Sequence, residues 1–162
     1  MANFAITNGS TSGGGTQQPT AAAYTGALIG ITSSGTAPNI KRSKIYDVLI
    51  GTNGTPADNF VEWDISRVTA ASTTTVLTPT ALDSADAASL LVTTVNSSTF
   101  GTITTGSNVF YIGVNQRASY RWVAAPGSEL VAPATSSTGF QLRCRSAAYT
   151  GTATGTILFQ EQ

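Results

Sequence analysis

Glu62 and Asp64 stand two residues apart in Val61-Glu62-Trp63-Asp64-Ile65-Ser66, a spacing that puts both carboxylates on one face of a β-strand. Glycoside hydrolysis uses two carboxyl groups about 5–9.5 Å apart across a cleft, one protonating the leaving group and the other acting as base or nucleophile. The same spacing occurs on any solvated strand face. Asp83 and Asp86 form a second acidic pair, but their loop lacks the dense, alternating oxygen ligands of a calcium site. Asp83 is more simply the N-cap of one short helical turn running to Leu90. Cys144 lies between Arg143 and Arg145, and neighbouring cations can lower a thiol pKa and make it reactive. Its alternation with Phe140 and Leu142 points instead to a small buried hydrophobe.

Beyond these groups the chain is poor in chemistry. It has no histidine, which removes Ser-His-Asp and Cys-His catalysis and the commonest metal ligand together. One cysteine allows neither an intrachain disulfide nor a CxxC pair. Eight basic and eight acidic side chains cancel, so no general phosphate-binding face and no nucleic-acid partner are expected. Met1-Ala2-Asn3-Phe4 has neither the basic nor the apolar region of a signal peptide, and no stretch reaches transmembrane length. Synthesis in a cytoplasm, with no membrane partner, is the expectation. No catalytic residue, cofactor or metal is assigned, and the chain reads as a structural or binding protein rather than an enzyme. The sequons at Asn8, Asn53 and Asn96 are also ordinary turn pairs.

The elements that carry these residues alternate with period two. At 162 residues and 41% hydrophobic content, the chain is long enough for one domain with a real core. Between Lys44 and Ile50, Lys44, Tyr46, Val48 and Ile50 share one face and Ile45, Asp47 and Leu49 the other, so this strand is expected to be covered on both sides for part of its length. It ends at the turn Gly51-Thr52-Asn53-Gly54. Val61, Trp63 and Ile65 face inward on the next strand, with Glu62, Asp64 and Ser66 outward. Further strands are expected at Thr73–Leu77, Leu91–Val95, Phe100–Thr104 and Val109–Val114. Tyr120 and Trp122 point inward beside Arg121, and Pro126-Gly127 turns the chain. Phe140, Leu142 and Cys144, then Ile157 and Phe159, form the last inward rows. About eight short strands at about 8–12-residue spacing read as an all-β sandwich or barrel.

Residues 1–38 differ in composition. Gly13-Gly14-Gly15, Gln17-Gln18-Pro19 and Ser33-Ser34-Gly35 sit among many Thr and Ala, with no charged side chain before Lys41. Tyr24 to Ile31 is the one apolar island. The division expected is an extended Gly/Thr-rich N-terminal arm, 1–38, and a β-sandwich domain, 39–162. The arm is either a loose tail with a stray strand or a segment ordered against a neighbouring subunit. On that reading, removing it spares cooperative unfolding.

Charge sorts by strand face. Glu62 and Asp64 share one face, Arg117 and Arg121 belong to another, Arg143 and Arg145 to a third, and Lys41, Arg42 and Lys44 form the densest basic cluster. Solvated cross-strand pairs account for them at about 0.2–1 kcal/mol each. The sharper reading is a set of subunit or capsid contacts whose complementarity fixes register and partner. Trp63, Tyr120 and Trp122 fall on inward faces, where core packing outweighs a sugar-binding role.

Two segments carry a family resemblance. Ile45-Tyr46-Asp47 through Gly51-Thr52-Asn53-Gly54-Thr55-Pro56-Ala57-Asp58-Asn59, and more specifically Asn115-Gln116-Arg117-Ala118-Ser119-Tyr120-Arg121-Trp122-Val123-Ala124-Ala125-Pro126-Gly127-Ser128-Glu129-Leu130, resemble stretches of tailed-bacteriophage capsid decoration, or cement, proteins. The resemblance covers about residues 40–162. It implies a jelly-roll-like antiparallel β-sandwich on the outer capsid surface of a virion, commonly a homotrimer that bridges neighbouring subunits of the major capsid protein. The alternative class is a phage fibre or knob domain that binds a host-surface glycan.

Overall fold

In the last strand of the chain, Ala153, Gly155, Ile157 and Phe159 are buried while the residues between them are half-exposed. That is the burial expected of a strand with one face in a core. The computed structural model describes residues 1–9, 18–19, 26–55, 57–72, 76–145 and 152–162, and among them regular structure is all strand. In chain order the strands are β1 (Asn3–Thr7), β2 (Gln18–Pro19), β3 (Ile29–Thr32), β4 (Ser43–Asn53), β5 (Phe60–Val68), β6 (Thr80–Ala81), β7 (Val92–Val95), β8 (Ile103–Asn115), β9 (Tyr120–Val123), β10 (Leu130–Val131), β11 (Gly139–Arg145) and β12 (Thr152–Glu161).

The strands form two antiparallel sheets packed as a sandwich. The first runs β10-β4-β12-β1-β6, with β9 also against β4 and β2 also against β12; the second runs β7-β3-β11-β5-β8. No two strands consecutive in the chain pair with each other. Most connections cross from one sheet to the other, so the ladders join distant segments and their closure entropy precedes their contacts. Between the sheets lie Phe4, Ile6, Ile45, Val48, Ile157 and Phe159 from the first, and Ile31, Val61, Trp63, Ile65, Phe140 and Leu142 from the second. Phe4 and Phe159 stack with centroids 5.6 Å apart. Gly155 faces this core, where an added Cβ would come within 2.8 Å of Leu142 Cδ2.

The sandwich draws strands from both sides of residue 38. β1 is held between β12 and β6, β3 lies between β11 and β7, and Phe4, Ile6, Leu28, Ile29 and Ile31 are at most 2% exposed. β1 and β3 of the expected arm are therefore core strands, which does not fit the expectation that its removal spares folding. The glycine-rich stretch 10–17 and residues 20–25, including Tyr24 of the apolar island, lie outside the described residues.

Three local expectations change. In β4, Ile45 joins Val48 and Ile50 in the core instead of facing away from them. The β4–β12 register slips between Leu158 and Phe159, which oppose Asp47 and Ile45, so Tyr46 is an extra residue and reverses the parity on one side of it. Asp83 caps a turn rather than a helix: its carboxylate accepts from the Ala85 amide at 2.9 Å and its carbonyl from the Asp86 amide at 3.0 Å. So short a helix gains too few bonds to offset its nucleation. Phe100–Thr104 and Val109–Val114 are not two strands; β8 starts at Ile103 and runs through to Asn115. Of the expected strand at Thr73–Leu77, residues 73–75 lie outside the described residues, while Val76 bridges Thr94.

Candidate functional site

The antiparallel register of β11 on β5 places Arg143 opposite Asp64 and Arg145 opposite Glu62. Period two puts all four on the outer face of the second sheet, away from Trp63 and Leu142. Arg143 Nε and Nη2 reach Asp64 Oδ1 at 2.9 and 2.8 Å, and Nη2 also donates to Ser66 Oγ at 3.0 Å. Ser66 Oγ lies 2.7 Å from both Asp64 Oδ1 and Asn108 Oδ1. One hydroxyl proton serves one acceptor, so a flipped Asn108 amide donating to Ser66 satisfies the group best.

This outer face is covered, contrary to the half-buried strand expected. Asp64 and Ser66 have no exposed surface. The Phe100 ring lies under the Arg143 guanidinium at 5.5 Å, and the Gly101 amide donates to Gln141 Oε1 at 2.9 Å. Gly101 passes so close to Ala70 that a Cβ would sit 2.2 Å from its carbonyl oxygen, so only glycine lets this loop lie flat on the sheet.

At the β5–β8 margin the covering loop stops. Arg145 Nη2 and Nε bind Glu62 Oε2, and the Tyr111 hydroxyl donates to the same carboxylate. The Tyr111 bond first and Arg145 second hold the Glu62 carboxyl below its usual range, while acceptance by Glu62 pushes the Tyr111 phenol up. Tyr111 and Phe60 are 58% and 64% exposed on this face. Between them Gly113 leaves Phe60 Cδ2 3.8 Å from where a Cβ would stand.

Three further ion pairs lie on the first sheet and the loops beside it. Arg121, opposite Leu49 in the β4–β9 ladder, forks onto Asp47 with Nε 3.0 and 3.1 Å from the two carboxylate oxygens and Nη2 2.5 Å from Oδ2. Lys44 Nζ is 3.2 Å from Glu129, and Arg117 Nη1 is 3.4 Å from Asp58. Lys41 and Arg42 stand outside the ion pairs of the described residues; their backbones bond Ser34 and Gln162. The sequence therefore identified the cations, but their partners Asp47, Asp58 and Glu129, and the aromatics Phe60 and Tyr111, emerge only with the register. Charge alternation flagged strands; it could not say which strand faces which.

Chemically, these groups hold one another in ion pairs and hydrogen bonds. Glu62 is shifted the wrong way for a general acid, which needs a raised pKa, and Asp64 is enclosed by Arg143 and Ser66. Cys144 points to the opposite face from Arg143 and Arg145; burial first, then the Asp64 charge, pushes its thiol up to about 12. The reactive-thiol alternative is thereby removed. Two sequon asparagines are internal clamps: Asn8 Nδ2 donates to Ala153 O at 2.8 Å, its Oδ1 accepts from the Gly155 amide at 2.7 Å, and Asn96 Nδ2 donates to Asn8 O at 2.9 Å. Comparison with family models, curated proteins and solved structures returned no match.

Proposed function

We propose that this protein is a virion structural protein that decorates a bacteriophage capsid and stabilises it by bridging neighbouring major capsid subunits, as a homotrimer on the outer surface. The observation that carries the reading is the resemblance of Asn115–Leu130 to capsid decoration proteins, together with where that segment lies. It leaves the end of β8, forms β9 and reaches β10 as one continuous rim, with Arg117, Arg121, Val123, Pro126, Gly127 and Ser128 exposed along it. Arg121 and Arg117 are already neutralised by Asp47 and Asp58, so the rim can lie on another protein without stranding a charge. A small protein that binds across seams stabilises the assembled shell by mass action, with no catalytic group involved. Shells stripped of the protein are expected to lose resistance to heat and osmotic shock and to regain it on re-addition. Unchanged resistance, with the protein absent from intact virions, overturns the reading.

A second reading, a knob that binds a host-surface glycan, is favoured by one feature: exposed Phe60 and Tyr111 flank the Glu62–Arg145 pair on a flat strand face. Flat aromatic faces with a carboxylate and a guanidinium between them suit stacked sugar rings and their hydroxyls. Glycan-array binding by the wild type that is lost in Tyr111→Ala supports this class; no binding to any glycan removes it.

A further inference from the structure

We infer that the margin of the sandwich formed by β8 and β9 is a docking surface for a second copy of this chain. The inference rests on the reading of the protein as a self-associating surface protein, and it specifies the surface through which copies meet.

The first ground is the strand edge. β8 is the last strand of its sheet, hydrogen-bonded to β5 on one side and to no other described strand. Its thirteen residues, Ile103 to Asn115, include no charged residue and no proline. Exposed edges are normally blunted by charge, proline or bulges, because their unpaired amides and carbonyls recruit other strands. Here only the first half is disrupted. The register to β5 is irregular up to Ser66, where Asn108 and Ile103 oppose Ser66 and Val68, and Gly106 has φ +76°. From Phe110 to Asn115 the ladder is regular, leaving a straight, uncharged edge.

The second ground is the core behind that edge. Phe110, Ile112, Val114, Tyr120, Trp122 and Leu130 are inward residues or their neighbours at this margin, yet all are only partly buried. One strand further in, Val61, Trp63 and Ile65 are at most 1% exposed. The opposite margin is closed by chain: Leu77 donates to Thr93 O, Thr93 Oγ1 donates back to Leu77 O, and Val76 bridges Thr94. On the β8–β9 side, Phe110 meets Tyr120 and Trp122 across the two sheets at centroid distances of 6.3 and 6.1 Å, and all three rings stay partly exposed.

The third ground selects the occupant. The cations bordering the margin, Arg117, Arg121 and Arg145, are each paired within the chain, and formal net charge is zero. A highly charged partner finds no uncompensated field here, whereas a second copy meets it without like-charge repulsion. A free strand edge is also self-complementary, since each strand offers the donors and acceptors the other lacks.

The test uses the whole protein without any shell. Sedimentation at increasing dilution should show a dimer or a closed ring giving way to monomer. Because Trp63 is buried and Trp122 lines the margin, tryptophan emission should shift to the red with the same concentration dependence, and a Trp122→Phe variant should lose that shift. In hydrogen exchange, the amides of 109–115 that bond β5 should be protected at every concentration, and the intervening ones only in the associated state. Ile112→Lys should give a folded monomer, its ammonium reaching water past the margin. A monomer at every concentration with concentration-independent exchange overturns the inference, as does folded Ile112→Lys with wild-type mass. If Ile112→Lys fails to fold, the wild-type exchange and emission data decide. A wild-type monomer that still restores stripped shells refutes this interface and the homotrimer but leaves the capsid reading, and an oligomer through this margin that ignores shells refutes the capsid reading alone.

Discussion

Arg143 and Asp64 face each other across the β11–β5 ladder with two guanidinium nitrogens on one carboxylate oxygen, and Phe100 closes over the cation. The side chains are 9% and 0% exposed, so water screens neither charge. Such a pair is bound to its partner more than it is intrinsically stabilising, because desolvation offsets much of the attraction.

Removing one member should therefore be far worse than removing both. Asp64→Ala is expected to lower unfolding free energy by about 3–5 kcal/mol, by leaving a buried guanidinium without its countercharge. Asp64→Leu combined with Arg143→Met should recover most of that loss. Urea denaturation of the two single variants and the double variant checks this; a double variant as unstable as the sum of the singles refutes it.

Glu62 and Tyr111 predict how stability follows pH. The folded Glu62 carboxyl titrates below its ordinary value of 4.5, so its contribution is present above that value and fades as pH falls through the folded pKa. The folded Tyr111 phenol titrates above 10.0, so its contribution is present below that value and fades as pH rises through the folded one. Tyr111→Phe removes the phenol's effect and the largest part of the Glu62 effect, leaving the part due to Arg145. The difference in Tm between wild type and Tyr111→Phe should be largest near neutrality and shrink at both extremes; a difference independent of pH refutes the coupling.

Cys144 should be inert while the protein is folded. Its thiol is buried on the core face and pushed up to about 12, leaving almost no thiolate at neutral pH. Labelling by a thiol-specific disulfide reagent should wait for global unfolding, at a rate that rises with denaturant as the folded fraction falls. Rapid labelling without denaturant would mean that β11 opens locally.

The strands whose inward rows the alternation identified, β5, β11 and β12, are those in which period two runs unbroken. Facing follows from parity, and parity needs no knowledge of a partner. Where one residue is inserted, at Tyr46, the same rule fails beyond it. Pairing is a different matter: Arg143 and Asp64 are 79 residues apart, and only tertiary register opposes them. Burial of an outer face is equally illegible, since Asp64 and Ser66 look like solvent-facing residues until Phe100 and Gly101 lie over them. β1 was hidden for another reason. Phe4 and Ile6 are two apolar residues near a glycine- and threonine-rich stretch, and so short a strand has no stability of its own until β12 and β6 flank it.

That last point makes the N-terminus the most direct test of the fold. Phe4 stacks on Phe159, and Asn3 to Thr7 pair in register with Gln160 to Thr156. Just beyond the strand, the Asn8 side chain fixes Ala153 and Gly155. Deleting residues 1–9 would expose the β12 edge and one wall of the core together. The truncated chain should lack a cooperative thermal transition and bind a hydrophobic dye. Phe4→Ala, which keeps the backbone ladder, should cost about 3–5 kcal/mol, the range for a large aromatic removed from a packed core. The two experiments separate packing from pairing. If the truncation melts like the full chain, β1 is an accessory strand, and the compositional reading of residues 1–38 as a dispensable arm holds for its first nine residues.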